Sequence, residues 1–153
     1  VNNHFTDKQY ERYVKETGAK THYLYHGSRN TNYIGILTEG LRLHPDAIIT
    51  GKMFGSGLYF ANRAKKSIGY TDTKGSVWAK GQKDQSYLAV YKVAYKHARH
   101  VEVWDSSLSL LTKGKLGEYD ALFAHKGQSL VNDEIIIYDE RQSTIQYLIE
   151  LQS

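Results

Sequence analysis

Three residues whose side chains could do chemistry lie at the ends or starts of strand-like segments that are far apart in the chain. His26 follows one apolar run, Tyr59 lies in a second, and Glu134 begins a third. A folded sheet could bring these positions together, and such side chains serve as acid–base and electrostatic groups in active sites. Each alone has a structural explanation: a core histidine, strand packing or a solvated edge carboxylate. Their joint occurrence favours an enzyme.

The segments around these residues recur in an order typical of one known family. They are His26–Asn32, Gly40–Arg42, Met53–Ala61, the Ser67 and Tyr70 pair, and Asn132–Asp139. On these motifs the chain resembles the catalytic domain of a poly(ADP-ribose) polymerase, in the diphtheria-toxin-like ADP-ribosyltransferase superfamily, His-Tyr-Glu type. The resemblance extends from about Tyr23 to Leu151, and several linked motifs are far more specific than one short glycine pattern.

The resemblance implies that NAD is the substrate and that its nicotinamide end is held by aromatic faces and a few hydrogen bonds. It implies that Tyr59 and Tyr70 stack on the ring, that the Gly27 backbone bonds the carboxamide, and that Ser67 donates its hydroxyl. His26 is implied to bond a ribose hydroxyl on the adenosine side. The other residues implied for NAD binding are Ser28, Asn32, Arg42, Phe60 and Ala61.

The resemblance makes Glu134 the residue with the main chemical role and His26 and Tyr59 its catalytic partners. Departure of nicotinamide leaves positive charge on the ribose, which a nearby carboxylate stabilises. The same carboxylate could bond the ribose 2′-hydroxyl and, in chain-elongating relatives, polarise the acceptor hydroxyl. The expected activity is therefore cleavage of NAD to nicotinamide with transfer of ADP-ribose to a macromolecule, with protein favoured as acceptor and nucleic acid as the other option.

The acceptor side departs from the family pattern. Many chain-elongating members have Lys where Ser56 stands, and they have a long loop before the catalytic Glu. Here Gly114 to Asp133 must supply both a strand and that loop. The small platform leaves poly(ADP-ribose) synthesis and transfer of one or a few units equally open.

Two other classes of protein stay open from the sequence. An NAD glycohydrolase or toxin-like effector would share the donor motifs and use water as the acceptor. A catalytically quiescent module that binds NAD or ADP-ribose would normally lose His26 or Glu134, so the presence of both argues against it.

The composition predicts one domain over residues 1–153. With 41% hydrophobic residues the chain can fill one core, and it has neither an apolar run of roughly 18 residues nor a signal-peptide pattern. We expect an intracellular monomer with no membrane partner. The start at Val1, without Met, is compatible with the C-terminal part of a longer protein; the regulatory helical domain of some relatives is not found in these residues.

Charge and cysteine content narrow the partners. The net charge is +4 and the isoelectric point about 9.1, but Lys and Arg are scattered, so a solvated basic surface and nucleic-acid binding are equally compatible. A basic surface also suits a dinucleotide with two phosphates. The absence of Cys excludes disulfides and thiolate zinc sites.

Local patterns predict an α+β fold of the ADP-ribosyltransferase type, with a mostly antiparallel split sheet and a few short helices. Thr6–Gln9 fits a capping box for a first helix that presents Tyr10, Tyr13 and Val14 on one face and ends at Gly18. Further helices are predicted over Asn32–Glu39 and from Asn62 through Tyr70, with Pro45 in a loop and an exposed excursion over Thr71–Gln85. The predicted strands are His22–Tyr25, Tyr87–Tyr95, Val101–Val103, Tyr119–Ala124, Glu134–Tyr138 and Thr144–Leu151.

Other motifs carry less. His97 and His100 are three residues apart, which puts strand side chains on opposite faces, and no third ligand is near, so no metal is expected. The glycines of Gly51-Lys52 and Gly55-Ser56-Gly57 lack the partners of a phosphate-binding loop or a dinucleotide turn and are interpreted as turn residues. The Tyr-rich strand Tyr87–Tyr95 is interpreted as packing.

Overall fold

The computed structural model describes residues 4–27, 53–63 and 85–152. Within these ranges the chain forms one α-helix, α1 (His4–Thr17), and seven strands. The strands are β1 (Lys20–Gly27), β2 (Leu58–Ala61), β3 (Gln85–Tyr95), β4 (Ala98–Val101), β5 (Ala121–Ala124), β6 (Glu134–Ile137) and β7 (Ser143–Gln152). Short 3-10 turns cover Ser106–Leu110, Lys113–Lys115 and Glu140–Gln142.

The seven strands form one sheet in the order β4-β5-β6-β2-β1-β3-β7. Every neighbouring pair is antiparallel except β4 and β5, which need the long connection over residues 102–120 that a parallel pair requires. The predicted α+β fold with a mostly antiparallel sheet is therefore confirmed.

The sheet has a narrow junction between β1 and β2. Among the described residues, these strands pair only at Tyr25 and Ala61, whereas β1 pairs with β3 from Lys20 to Gly27 and β2 pairs with β6 along its whole length. The sheet thus consists of two halves, β4-β5-β6-β2 and β1-β3-β7, joined by one residue pair. Because the two halves separate at this junction, the described strand ends on both sides of it are not paired with each other and can carry binding residues.

Strand β6 is buried on both faces and connects two hydrophobic clusters. Ile135 and Ile137 pack with Leu24, Phe60 and Tyr91 on one face. Ile136 packs with a second group on the other face, formed by Phe54, Leu108, Leu122 and Tyr138 among others. Burying each isoleucine contributes roughly 1.5–3 kcal/mol. The uninterrupted Ile-Ile-Ile run is typical of such a doubly covered strand.

Helix α1 packs on β7, and its predicted start is wrong. The described helix already includes His4, so Thr6 is not its N-cap. Instead the Thr6 hydroxyl bonds that of Thr144 at 2.9 Å, and Thr144 donates to Asp7. Thr6 and Asp7, which the local motif assigned to a helix cap, therefore form long-range contacts with Thr144 instead.

The predicted inner face and end of α1 are confirmed. Tyr10 and Tyr13 are buried and Val14 is half-buried against Ala19 and Ala94. Gly18 has a φ of 71° and donates its N–H to the Val14 carbonyl at 2.9 Å, which is how a glycine ends a helix.

The predicted strands exist, with shifted ends. β4 spans 98–101 rather than 101–103, because the Asp120 carboxylate accepts the N–H groups of Lys96 and His97 and fixes the turn just before it. The other strands begin or end a few residues from their predicted limits, β1 extending to Lys20 and Gly27, β5 beginning at Ala121, β6 ending at Ile137 and β7 spanning Ser143–Gln152.

Some of the predicted helices and loops lie in parts of the chain that the structure does not describe. The helix over 32–39, the Pro45 loop, the helix over 64–70 and the excursion over 71–84 lie outside the described residues. The packing role of Tyr87–Tyr95 is confirmed for its described side chains, since Ala89, Tyr91 and Val93 lie in a hydrophobic cluster.

A buried carboxylate ties the end of β6 to its surroundings and predicts a pH effect. Asp139 accepts from the Arg141 guanidinium at 2.7 Å and from Lys113 Nζ at 2.6 Å. Burial alone would raise the pKa of Asp139, but these bonds outweigh it and hold that pKa well below its usual range. Since the unfolded value is about 4, the stabilisation is complete above that pH and is lost as pH falls towards the folded-state pKa.

We therefore expect Asp139→Asn to lower the free energy of unfolding by about 1–3 kcal/mol at about pH 7, with the exposed partners limiting the effect. In urea denaturation, the difference from wild type should begin to shrink below about pH 4 and keep falling as the pH approaches the folded-state pKa. Glu102→Gln, at an exposed position, is the control and should change little. A difference that does not depend on pH would contradict the assignment.

Candidate functional site

His26 lies at the junction, at the end of β1. Its Nδ1 is 3.0 Å from the Tyr59 carbonyl oxygen, and its ring contacts the rings of Phe60 and Tyr91, at 5.8 and 6.0 Å between centres. A carbonyl can only accept, so Nδ1 carries the proton and Nε2 of the neutral ring is an acceptor. Burial lowers the pKa of His26 more than this bond raises it. His26 is thus neutral at pH 7 and suited to accept a bond from a hydroxyl.

Glu134 begins β6 on the other side of β2. It is paired with Ala61 of β2 and Ala124 of β5, and Ala61 is in turn paired with Tyr25, the neighbour of His26. Two strand spacings place the backbones of β1 and β6 about 10 Å apart. Glu134 is only 7% exposed. Ala61 of β2 is therefore the one residue that separates the backbone of Glu134 from the end of β1 that carries His26.

The residue before Glu134 fixes where β6 begins. The Asp133 carboxylate accepts from the Lys126 N–H at 2.7 Å and from the Asn62 side-chain amide at 3.2 Å. The Lys126 bond, then that of Asn62, lower the pKa of Asp133 despite some desolvation. Asp133 therefore ties the end of β2 and the β5–β6 connection to the start of β6, directly beside Glu134.

Tyr59 is held by its hydroxyl group. That hydroxyl accepts from the Phe54 N–H at 3.0 Å and donates to the Gly55 carbonyl at 2.8 Å. Its ring lies 6.3 Å from the Phe54 ring, centre to centre. The aromatic face of Tyr59 is therefore fixed by the turn that precedes β2.

The 53–57 turn is itself held from three directions. Trp104 Nε1 donates to the Met53 carbonyl at 2.6 Å, Tyr138 donates to the Phe54 carbonyl, and the Ser56 N–H bonds the Leu111 carbonyl at 3.2 Å. Burial raises the pKa of Tyr138 far above its ordinary value, so its phenol stays a donor. This turn carries Ser56, the position where many chain-elongating relatives have Lys.

Removing the Tyr59 hydroxyl should separate two roles of this residue: the hydroxyl holds the 53–57 turn, and the ring offers an aromatic face. Tyr59→Phe keeps the aromatic face but leaves the Phe54 N–H without its partner, which costs about 1–3 kcal/mol of stability. We expect a lower denaturation midpoint with a smaller change in NAD affinity, measured by calorimetry. Tyr147→Phe, on an exposed tyrosine, is the control. An unchanged midpoint would contradict the role of the hydroxyl.

Some of the predicted site residues lie on neighbouring strands. His26, Gly27, Tyr59, Ala61 and Glu134 lie on the three strands around the junction. Phe60 is 2% exposed and packs in a core cluster against His26, so it supports the histidine from below. The predicted NAD-binding residues Ser28, Asn32, Arg42, Ser67 and Tyr70 lie outside the described residues.

Sequence reasoning missed the residues that hold this site in place. Asp133, Trp104 and Tyr138 all bond backbone or side-chain groups next to Tyr59 or Glu134. Most of their partners are distant in sequence, and no local pattern marks these residues. Only the Asn132–Asp139 segment as a whole was singled out.

A cavity of about 440 Å³ lies between α1 and the sheet, lined by residues such as Tyr10, Thr21 and Gln146, and it contains none of the predicted site residues that the structure describes. No helix in the described part of the chain has the length and apolar character to cross a membrane.

Comparison with known proteins gives the family. The sequence model of the poly(ADP-ribose) polymerase catalytic domain matches residues 1–124, a range that includes His26 and Tyr59 and ends before Glu134. A protein of Invertebrate iridescent virus 6, "Putative poly [ADP-ribose] polymerase-like 100L", is 31% identical over 95% of this chain and 79% of its own length.

Cellular relatives are longer. Human poly [ADP-ribose] polymerase 2 is 31% identical over 84% of this chain, and poly [ADP-ribose] polymerase 1 of Xenopus laevis is 32% identical over the same share. The aligned parts are 26% and 15% of those proteins, so this chain spans a small part of each. On the match over residues 1–124 and the viral relative, the chain belongs to the poly(ADP-ribose) polymerase catalytic domain family.

Proposed function

We propose that this chain cleaves NAD to nicotinamide and transfers ADP-ribose to a macromolecular acceptor, with His26, Tyr59 and Glu134 as the catalytic residues. Family membership supports ADP-ribosyl transfer. The observation that carries the residue assignment is the junction between β1 and β2, around which the three residues lie. The acceptor and the product length are part of the proposal.

The geometry supports the donor half of the proposed reaction. Neutral His26 offers Nε2 to a ribose hydroxyl of NAD, and the fixed ring of Tyr59 offers a face to the nicotinamide. Holding both ends of the dinucleotide orients the bond between nicotinamide and ribose C1, which lowers the entropic part of the barrier. Ser28, Asn32, Arg42, Ser67 and Tyr70 belong to the same proposal through the family motif.

Glu134 acts where the charge changes. As the C1–nitrogen bond breaks, its electron pair leaves with nicotinamide and positive charge develops on the ribose. A carboxylate at the start of a buried strand stabilises this charge because it is held in place and partly screened from water. An acceptor nucleophile then bonds C1, and its proton passes to the Glu134 carboxylate or to water. Asp133 keeps Glu134 in position through its bonds to Lys126 and Asn62.

The acceptor side supports transfer of one or a few units to protein. Ser56 puts no positive charge on the 53–57 turn, and residues 125–133 form the whole connection between β5 and β6. A short connection with a neutral turn offers little surface to bind a growing, highly anionic ADP-ribose chain. We also propose that the protein acts inside the cell, where NAD is available, and as a monomer.

Labelled NAD tests the function directly. The pure chain is incubated with NAD labelled in the adenine half and a cell extract, then label on macromolecules is read on gels and free nicotinamide by chromatography. Discrete labelled protein bands would support the proposal, whereas a ladder would replace short transfer by polymer synthesis. Nicotinamide without label would mean that water is the acceptor. Bound NAD with neither product would overturn the proposed activity.

A further inference from the structure

Two histidines form a pair at the edge of the sheet, away from the residues assigned to catalysis. His100 lies in β4, the edge strand, and His125 directly follows β5. His100 Nδ1 is 2.7 Å from His125 Nε2. The ring centres are 5.0 Å apart and the planes differ by 25°. The rings therefore meet nitrogen to nitrogen along their edges, with one proton shared between the two facing nitrogens.

The fold holds this pair in place. The parallel register sets His100 opposite Phe123, and His125 is two residues beyond Phe123 on the same face. The Phe123 ring lies beside both imidazoles, at 5.2 and 4.5 Å between centres. The His125 N–H also bonds the Val101 carbonyl at 2.9 Å. Backbone pairing and ring packing thus limit the orientations of the two side chains.

We propose that His100 and His125 form a chelating site for a divalent transition-metal ion of the kind that imidazole prefers, such as Zn²⁺ or Ni²⁺. Imidazole nitrogens suit these ions, whereas Mg²⁺ and Ca²⁺ prefer oxygen ligands. Nitrogens bound to zinc lie 2.0–2.1 Å from the ion, which in tetrahedral geometry separates two of them by roughly 3.3 Å. The present 2.7 Å separation would need to widen by only about 0.6 Å.

The surroundings suit an ion that keeps water ligands. His100 is exposed and His125 half-exposed, so solvent reaches the pair and small side-chain rotations can open it. The Asp133 carboxylate interacts electrostatically with His125 and favours a cation nearby. No set of three His, Asp or Glu ligands exists in the described residues, so water must complete the coordination. As the ion binds, the shared proton moves through solvent to the outer nitrogen of its own ring, so that both imidazoles bind the ion in their neutral form.

The ion would join β4 to β5 where the sheet has its edge. Edge strands have one unpaired side and are the least constrained part of a sheet. A ligand that binds only the folded state stabilises it by mass action. The site differs from the His97–His100 pair considered from the sequence, because it combines His100 with a histidine 25 residues further on.

Titration calorimetry of the full chain with Zn²⁺ and Ni²⁺, after removal of any affinity tag, tests the proposal. Wild type should bind one equivalent. His100→Gln and His125→Gln should each bind about 100-fold more weakly, because loss of one ligand removes the chelate advantage. His97→Gln, an exposed histidine close by, should bind like wild type. Mg²⁺ should give no heat of binding.

Thermal unfolding gives a second readout. Saturating Zn²⁺ should raise the wild-type and His97→Gln midpoints by about 5 °C and leave both pair variants unchanged. The same midpoints without metal show that the variants are folded. Wild-type binding as weak as that of His100→Gln, or tight binding that survives both pair substitutions, would overturn the site.

Discussion

Replacing Glu134 by Gln is expected to reduce ADP-ribosyl transfer by about 100- to 1,000-fold while NAD still binds. The two side chains have the same shape, so the buried start of β6 should keep its packing, but the negative charge that meets the developing ribose cation is gone. Loss of one preorganised electrostatic group in an active site has this magnitude. The effect should lie in turnover and not in NAD affinity.

The measurement combines initial rates of nicotinamide release with calorimetric titration of NAD. Glu118→Gln is the matched control, since Glu118 is an exposed glutamate in the same part of the chain, and its rate should equal that of wild type. Equal loss of binding and turnover in Glu134→Gln would refute the electrostatic role. An unchanged denaturation midpoint excludes misfolding as the cause.

Gly55→Ala is expected to be the most destabilising small substitution in the site. Gly55 has a φ of 79°, and an added Cβ would lie 2.2 Å from the Leu111 carbonyl oxygen. Left-handed backbone costs a residue with a side chain roughly 1–2 kcal/mol, and forcing a methyl group against packed atoms adds about 1–3 kcal/mol. The expected loss is therefore about 2–5 kcal/mol, a large share of the stability of an ordinary domain.

Urea denaturation measures this loss, and Gly114→Ala provides the control. A Cβ added at Gly114 would have Thr112 Oγ1, at 4.0 Å, as its nearest neighbour, and Gly114 has no positive φ. Alanine should therefore be tolerated there. Because the Gly55 carbonyl accepts from Tyr59, the rate of NAD cleavage should fall as well. A Gly55→Ala midpoint equal to that of wild type would mean that the turn does not have this geometry.

The strands could be predicted because their signals are local. In the Ile135–Ile137 run and in the alternating Tyr87–Tyr95 segment, the residue types alone indicate which side chains are buried. Which strands become neighbours could not be predicted, because pairing is decided by contacts across the whole chain. The parallel β4–β5 pair is the clearest example, since it brings His100 to His125 and no sequence spacing announces it.

In the candidate site, too, the residues of the sequence motifs could be predicted, but the residues that hold them in place could not. His26, Tyr59 and Glu134 were singled out because they lie in segments with a recognisable pattern. The groups that hold them, Asp133 and Tyr138, form hydrogen bonds with residues that are far away in the sequence. The prediction of where α1 begins was wrong for a related reason: Thr6 fits the pattern of a local helix cap but forms a hydrogen bond with Thr144 instead.

The single residue pair between β1 and β2 has a consequence for how the protein is made. During synthesis His26 and Tyr59 leave the ribosome well before Glu134, yet β2 has only one residue paired with β1. Its main partner is β6, which lies far downstream of β2 in the sequence and must insert between β5 and β2. Such distant pairings form slowly. The nascent protein therefore cannot assemble the proposed catalytic centre until β6 has left the ribosome, and shortened chains that end before β6 should be inert.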